Sequence, residues 1–62
     1  MTPEEARKVE AFLDCGFYLE IEEHYGIPHE NIVDFLDLCV DAEVKPGDPW
    51  GDYDPVYDLW LL

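Results

Sequence analysis

The chain contains no serine, no glutamine and a single threonine, and only three of its 62 residues are lysine or arginine. The lack of hydroxyl nucleophiles, with no glycine-rich phosphate loop and no readable nucleophile–base pair, argues against an enzyme. Ordinary ligand volume also looks too large for so short a chain, so no cofactor is expected. The shortage of cations argues against direct contact with nucleic acid or an anionic membrane, because phosphates would meet carboxylates. No stretch approaches the run of about 18 apolar residues that a membrane span requires. Met1 to Arg7 lacks the basic start and apolar run of a secretory signal, so a cytoplasmic protein is expected. Two cysteines, Cys15 and Cys39, permit one disulfide, but a reducing compartment favours free thiols.

What the chain has instead is acid and aromatic rings. Sixteen Asp and Glu give a formal net charge of −13, yet 48% of the residues are hydrophobic and 15% aromatic. Acidic disordered chains lack that apolar surface, so a folded acidic domain is expected. A domain this small buries only about 60% of its unfolded surface, and self-repulsion lowers its margin further. A field of this size points to a basic partner.

Thr2-Pro3-Glu4-Glu5 is a helix start, with Thr2 as cap, proline in the first turn and Glu5 completing a capping box. Ala6, Val9, Phe12 and Leu13 then recur at helical spacing up to Cys15, and Gly16 is the stop. Phe17 to Tyr25 alternates enough to suggest a strand, but Phe17, Ile21 and Tyr25 share a helical face, so a helix ending at Gly26 is preferred. Pro28 forces a turn. Glu30 to Asp41 is the clearest amphipathic helix, with Ile32, Val33, Phe35, Leu36, Cys39 and Val40 on one side. Glu30, Asp34, Asp37 and Asp41 form an acidic stripe on the other.

Lys45 to Pro55 holds three of the five prolines and two of the four glycines, and reads as irregular. Asp54-Pro55 can then start a last short helix, Val56 to Leu62, apolar at Tyr57, Leu59, Trp60 and Leu61, which is either folded back on the core or left out as a docking peptide. The expected architecture is therefore mainly all-α. Residues 1–44 form an acidic domain of three helices, and residues 45–62 form a Pro/Gly/Asp-rich arm. The expected core is Val9, Phe12, Leu13, Phe17, Ile21, Ile32, Phe35, Leu36 and Cys39.

Tyr18 to Phe35 resembles the helix-turn-helix of DNA-binding proteins. Gly26 stands at the turn glycine, and Ile21, Ile27, Ile32 and Phe35 stand at the buried positions. Glu22 replaces the usual small residue. The would-be recognition helix carries four acids and, for base reading, only Asn31. A helix-turn-helix-like pair is expected, but not a DNA reader.

At a rise of about 1.5 Å per residue the acidic stripe spans roughly 16 Å, somewhat sparser in charge than a DNA strand with its phosphate every 3.4 Å or so. By length, charge and aromatic content the chain resembles the small acidic inhibitors of phages and other mobile elements, including DNA-mimic and anti-CRISPR proteins. No motif carries this resemblance. It implies inhibition by occupying the basic nucleic-acid groove of a host protein, such as a CRISPR effector. The expected binding residues are Glu30, Asp34, Asp37, Asp41, Asp52 and Asp54, with Trp50 and Tyr53 as exposed aromatic anchors. The alternative is a protein-interaction module or homodimer built on the apolar face of the Glu30–Asp41 helix and the C-terminal tail. Tyr57-Asp58-Leu59-Trp60-Leu61 also resembles the clamp-binding peptides of bacterial replication proteins, with Val56 where their glutamine stands. No metal site is expected. Asp48, Asp52, Asp54 and Asp58 lack the spacing of a calcium loop, and His24 and His29 lack cysteines at zinc spacing.

Overall fold

In the computed structural model, which describes residues 2–62, the chain forms four α-helices: α1 (Pro3–Cys15), α2 (Phe17–Tyr25), α3 (Ile32–Asp41) and α4 (Trp50–Trp60). A 3-10 turn, His29–Asn31, leads into α3. The all-α class expected from the periodicity is thus the class observed.

Helix α1 begins as its local signals require. Thr2 Oγ1 accepts the Glu5 N–H at 3.2 Å, and Pro3 occupies the first helical position, where its missing N–H costs nothing. Gly16, at φ 75°, ends α1 and starts α2 in one residue, a left-handed conformation that glycine adopts without steric cost. The ambiguous Phe17–Tyr25 segment is helical throughout and stops at Gly26 (φ 67°). Pro28 then sets the start of the 3-10 turn, whose tighter winding is closed by the Asn31 N–H to the Pro28 carbonyl at 2.9 Å.

Helix α3 is the centre of the molecule and packs against α1, α2 and α4. Ile32, Phe35, Leu36, Cys39 and Val40 are all buried. Its C-terminus is a Schellman closure. The Val44 N–H reaches the Cys39 carbonyl at 2.9 Å and the Glu43 N–H reaches the Val40 carbonyl at 3.0 Å. The residue at the left-handed position, where glycine is usual, is Glu43 at φ 61°.

The expected irregular arm is corrected by the structure. Of residues 42–62, only 42–49 and 61–62 are non-helical, and α4 starts at Trp50, five residues before the proline read as a helix start. Pro55 lies inside α4, where it removes a hydrogen bond and costs about 3 kcal/mol. Burial of Tyr53 and Val56, 0% and 1% exposed, offsets that cost at roughly 1.5–3 kcal/mol per side chain. These gains come from partners distant in sequence, so local signals misplace the helix start.

One core unites residues on both sides of position 45. Seven of the nine expected core residues are buried, but Leu13 is 37% exposed and Phe17 only partly covered. Ile27, Val40, Val44, Tyr53 and Val56 complete the core. The apolar face of α3 is therefore consumed internally, apart from Val33 at 43% exposure. Both cysteines are free thiols, Cys15 exposed and Cys39 buried. Burial raises the Cys39 pKa from 9.0 to about 12, because a thiolate there would lose its hydration. Among the described residues no helix is long and apolar enough to cross a membrane.

Candidate functional site

Acid covers this molecule almost without compensation. Of the 16 carboxylates, 12 are exposed and four half-buried, and no charged residue described here is fully buried. Among the described residues two carboxylates have a cationic or imidazole neighbour. Lys8 Nζ lies 4.0 Å from Glu4, and His29 Nδ1 lies 3.3 Å from Glu22. Thirteen net negative charges are thus spread over 4086 Å² of accessible surface.

The four residues of the expected stripe divide into two settings. Glu30 is exposed but belongs to the 3-10 turn, so the step from Glu30 to Asp34 crosses a change of helical pitch. Asp34 and Asp41 are exposed on α3. Asp37 is half-buried, and its Oδ1 is shut from solvent without a hydrogen-bond partner. Carboxylate oxygens of Asp37, Asp41 and Glu5 lie within 4.8 Å of one another. Packing of α1 on α3 brings the third acid, Glu5, which sequence reading had assigned only to the capping box. The trio is close enough to share one cation, whether an inorganic ion or a side-chain ammonium or guanidinium. Its geometry depends on the α1–α3 register, for which the sequence carries no local signal.

The aromatic anchors are placed differently from expectation. Tyr53 is wholly buried, and its hydroxyl donates to the Lys45 carbonyl, so it is not available as an exposed anchor. Its position facing the core follows from α4 starting at Trp50 rather than at Pro55. Trp50 is half-buried within a group of rings. It stacks on His24 at 3.9 Å and 3°, lies over Phe17 at 5.6 Å and 22°, and meets Tyr25 edge-on at 5.6 Å and 87°. Offset-stacked and edge-to-face pairs of this kind add about 0.5–1.5 kcal/mol each beyond area burial. Asp52 and Asp54 are both exposed. Asp54 accepts the Tyr25 hydroxyl at 2.7 Å, a bond from α4 back to α2. Burial first, and then this neighbouring carboxylate, push the Tyr25 pKa up, and burial does the same for Tyr53.

In the tail, Tyr57 stacks on Tyr25 at 4.6 Å and Trp60 meets Phe35 edge-on at 5.7 Å. Leu59 and Leu61 remain 57% and 64% exposed. The expectation that so short a chain has no room for ordinary ligand volume is corrected by a groove. It has about 500 Å³ of open volume between α1 and the segment after α3, within the range of ordinary ligand sites.

Neither protein-family models, nor curated proteins, nor solved structures give a match to this chain.

Proposed function

We propose that this protein is an acidic inhibitor that binds the basic, nucleic-acid-binding surface of a host protein, in the manner of a DNA mimic or an anti-CRISPR protein. The observation that carries the reading is the near-complete absence of internal compensation. A fold stabilised by rings and aliphatic side chains leaves 12 carboxylates in water, with two acid–base contacts among the described residues. Charges that do so little for the fold are available to a partner. The α2–turn–α3 segment is read as a helix-turn-helix-like pair whose second helix presents acid instead of base-reading side chains. Asp34 and Asp41 on α3, Glu30 beside it, and Asp52 and Asp54 on α4 are the binding residues of this reading, with the exposed part of Trp50 as the aromatic contact. Such a protein works in the cytoplasm of the cell that holds its target, the host's if a phage encodes it. Opposite charges raise the association rate, while a few anchors set the lifetime.

Capture from a bacterial lysate tests the reading, first at about 0.1 M salt and again at about 0.5 M, where the screening length is far shorter. Retention of a nucleic-acid-binding protein at low salt only, and its release by added duplex DNA, is the expected result. Retention at both salts, with no effect of DNA, overturns it.

One observation favours a second reading. Leu59 and Leu61 are exposed large apolar side chains at the end of α4, as in an interaction module or homodimer that uses the tail. An apolar interface would persist at high salt, and a homodimer of two −13 chains would be strengthened by it, so sedimentation at low and high salt separates the two readings.

A further inference from the structure

Three cations stand against sixteen acids in this chain, and two of the three meet at one groove. Lys8 on α1 and Lys45 after α3, 37 positions apart in sequence, both line the cleft of about 500 Å³. Its floor is apolar, formed by Phe12, Val40, Val44 and Pro46. Glu43 is the single carboxylate among its lining residues, so cations outnumber acids there. Elsewhere the local balance is opposite. A groove beside α4 is lined by Glu43, Asp48 and Asp52, one near the start of α1 by Glu4, Glu5, Asp41 and Glu43 with Lys8, and one at Trp50 by Glu20 and Glu23.

We propose that the Lys8–Lys45 groove is a binding site for a small anionic amphiphile, a carboxylate carrying an aliphatic body of medium length. The apolar floor takes the hydrocarbon, and burial against it contributes in proportion to the area removed from water. Lys8 and Lys45, both exposed, border that floor and supply the positive charge for the carboxylate. Among the described residues Lys45 Nζ has no carboxylate within 4.0 Å, although the Lys45 backbone N–H donates to Asp48 Oδ2 at 3.0 Å, while Lys8 Nζ has a single long contact to Glu4, also 4.0 Å. Both therefore retain charge for a ligand. Long lysine stems lie along apolar surface with the charged head in water, which is the arrangement an amphiphile complements. A neutral hydrocarbon would forgo the charge contact, and a small hydrophilic anion would forgo the floor. A second copy of the chain is a poor occupant, because two bodies of −13 repel.

The test uses hexanoate, with 1-hexanol and acetate as matched controls, each titrated at millimolar concentration into the isotopically labelled protein at constant ionic strength. Amide shifts of Val44 and Lys45 are the readout. Hexanoate should bind at these residues more tightly than either control. Lys8→Gln and Lys45→Gln should each weaken it about two- to five-fold, the range of an exposed ion pair. Arg7→Gln, which removes the third cation from a position outside the groove, should leave the affinity unchanged. Unperturbed spectra of the free variants show that the fold is retained. Equal binding of hexanol, equal binding of acetate, no saturable shift with hexanoate, or an equal loss on Arg7→Gln each overturns the proposal.

Discussion

The α2–α4 side and the α1–α3 edge of this molecule are built from opposite materials. On the first, Phe17, His24, Tyr25, Trp50, Tyr53 and Tyr57 form a continuous set of ring contacts, and a hydroxyl–carboxylate bond ties α2 to α4. On the second, three carboxylates converge within 4.8 Å, one of them with a shielded oxygen that accepts no hydrogen bond. The difference shows how a 62-residue chain can carry −13. Acids lie on both sides, but on the first a set of ring contacts holds the helices together beneath them, whereas on the second three acids are pressed against one another. Removing rings should therefore unfold the protein, whereas removing acids should not.

The largest expected effect follows from Tyr53. Truncation to alanine empties a fully buried ring site, and aromatic-to-alanine changes of this kind cost about 3–5 kcal/mol. At the usual per-residue figure the whole domain has only about 3–9 kcal/mol, so Tyr53→Ala should be largely unfolded by far-ultraviolet dichroism. A cooperative melt close to that of the parent would mean that α4 is not part of the core. Tyr53→Phe, which leaves the Lys45 carbonyl without its donor, should cost about 1–3 kcal/mol.

Alkaline pH probes the same side. Cys39, Tyr25 and Tyr53 all have pKa values raised by burial, so the unfolded chain gives up their protons first. Their contribution is fully present below the unfolded values, 9.0 for the thiol and 10.0 for the phenols. It is lost as pH rises from there through the folded values. Urea midpoints should be level up to about pH 8.5 and then fall. Cys39→Ala should move the onset upward toward the phenol range. An unchanged onset would show that the buried thiol takes no part.

Glu43, at the seam where α3 gives way to the groove, offers an effect of the opposite sign. A side chain at φ 61° costs roughly 1 kcal/mol that glycine avoids, so Glu43→Gly should stabilise the fold by about that amount and raise Tm by about 4–8 °C. A lower Tm would mean that the glutamate contributes contacts worth more than its strain.

Asp37→Asn is the smallest test and the one aimed at the acidic edge. It removes a charge pressed against Glu5 and Asp41, and relief of like-charge repulsion should stabilise by about 0.2–0.5 kcal/mol, more at low salt. Destabilisation by more than about 1 kcal/mol would make Asp37 a structural residue instead.

The same division explains what could be read before the fold was known. The start of α1 is written in adjacent residues, Thr2-Pro3-Glu4-Glu5, and the breaks at Gly16 and Gly26 need only their own backbone. The face of α3 follows from its spacing. The start of α4 was not legible, because its first turn is held by Phe17 and His24, distant in sequence, and by the carbonyl of Lys45 eight residues before Tyr53, against the local veto of Pro55. Tyr53 was misread as an exposed anchor for the same reason. The acidic character of the surface was plain from composition. The meeting of Glu5 with Asp37 and Asp41, and of Lys8 with Lys45, depends on how α1 lies against α3 and on the segment that follows it.

The central claim, that the exposed acids serve a partner and not the fold, is tested most directly by Asp34→Lys combined with Asp41→Lys. Melting temperature and capture from a bacterial lysate at about 0.1 M salt are measured on the same preparation. The account predicts a melting temperature equal to or above that of the parent, with the captured nucleic-acid-binding protein lost. Capture that survives the reversal, or a fold that does not, would contradict it.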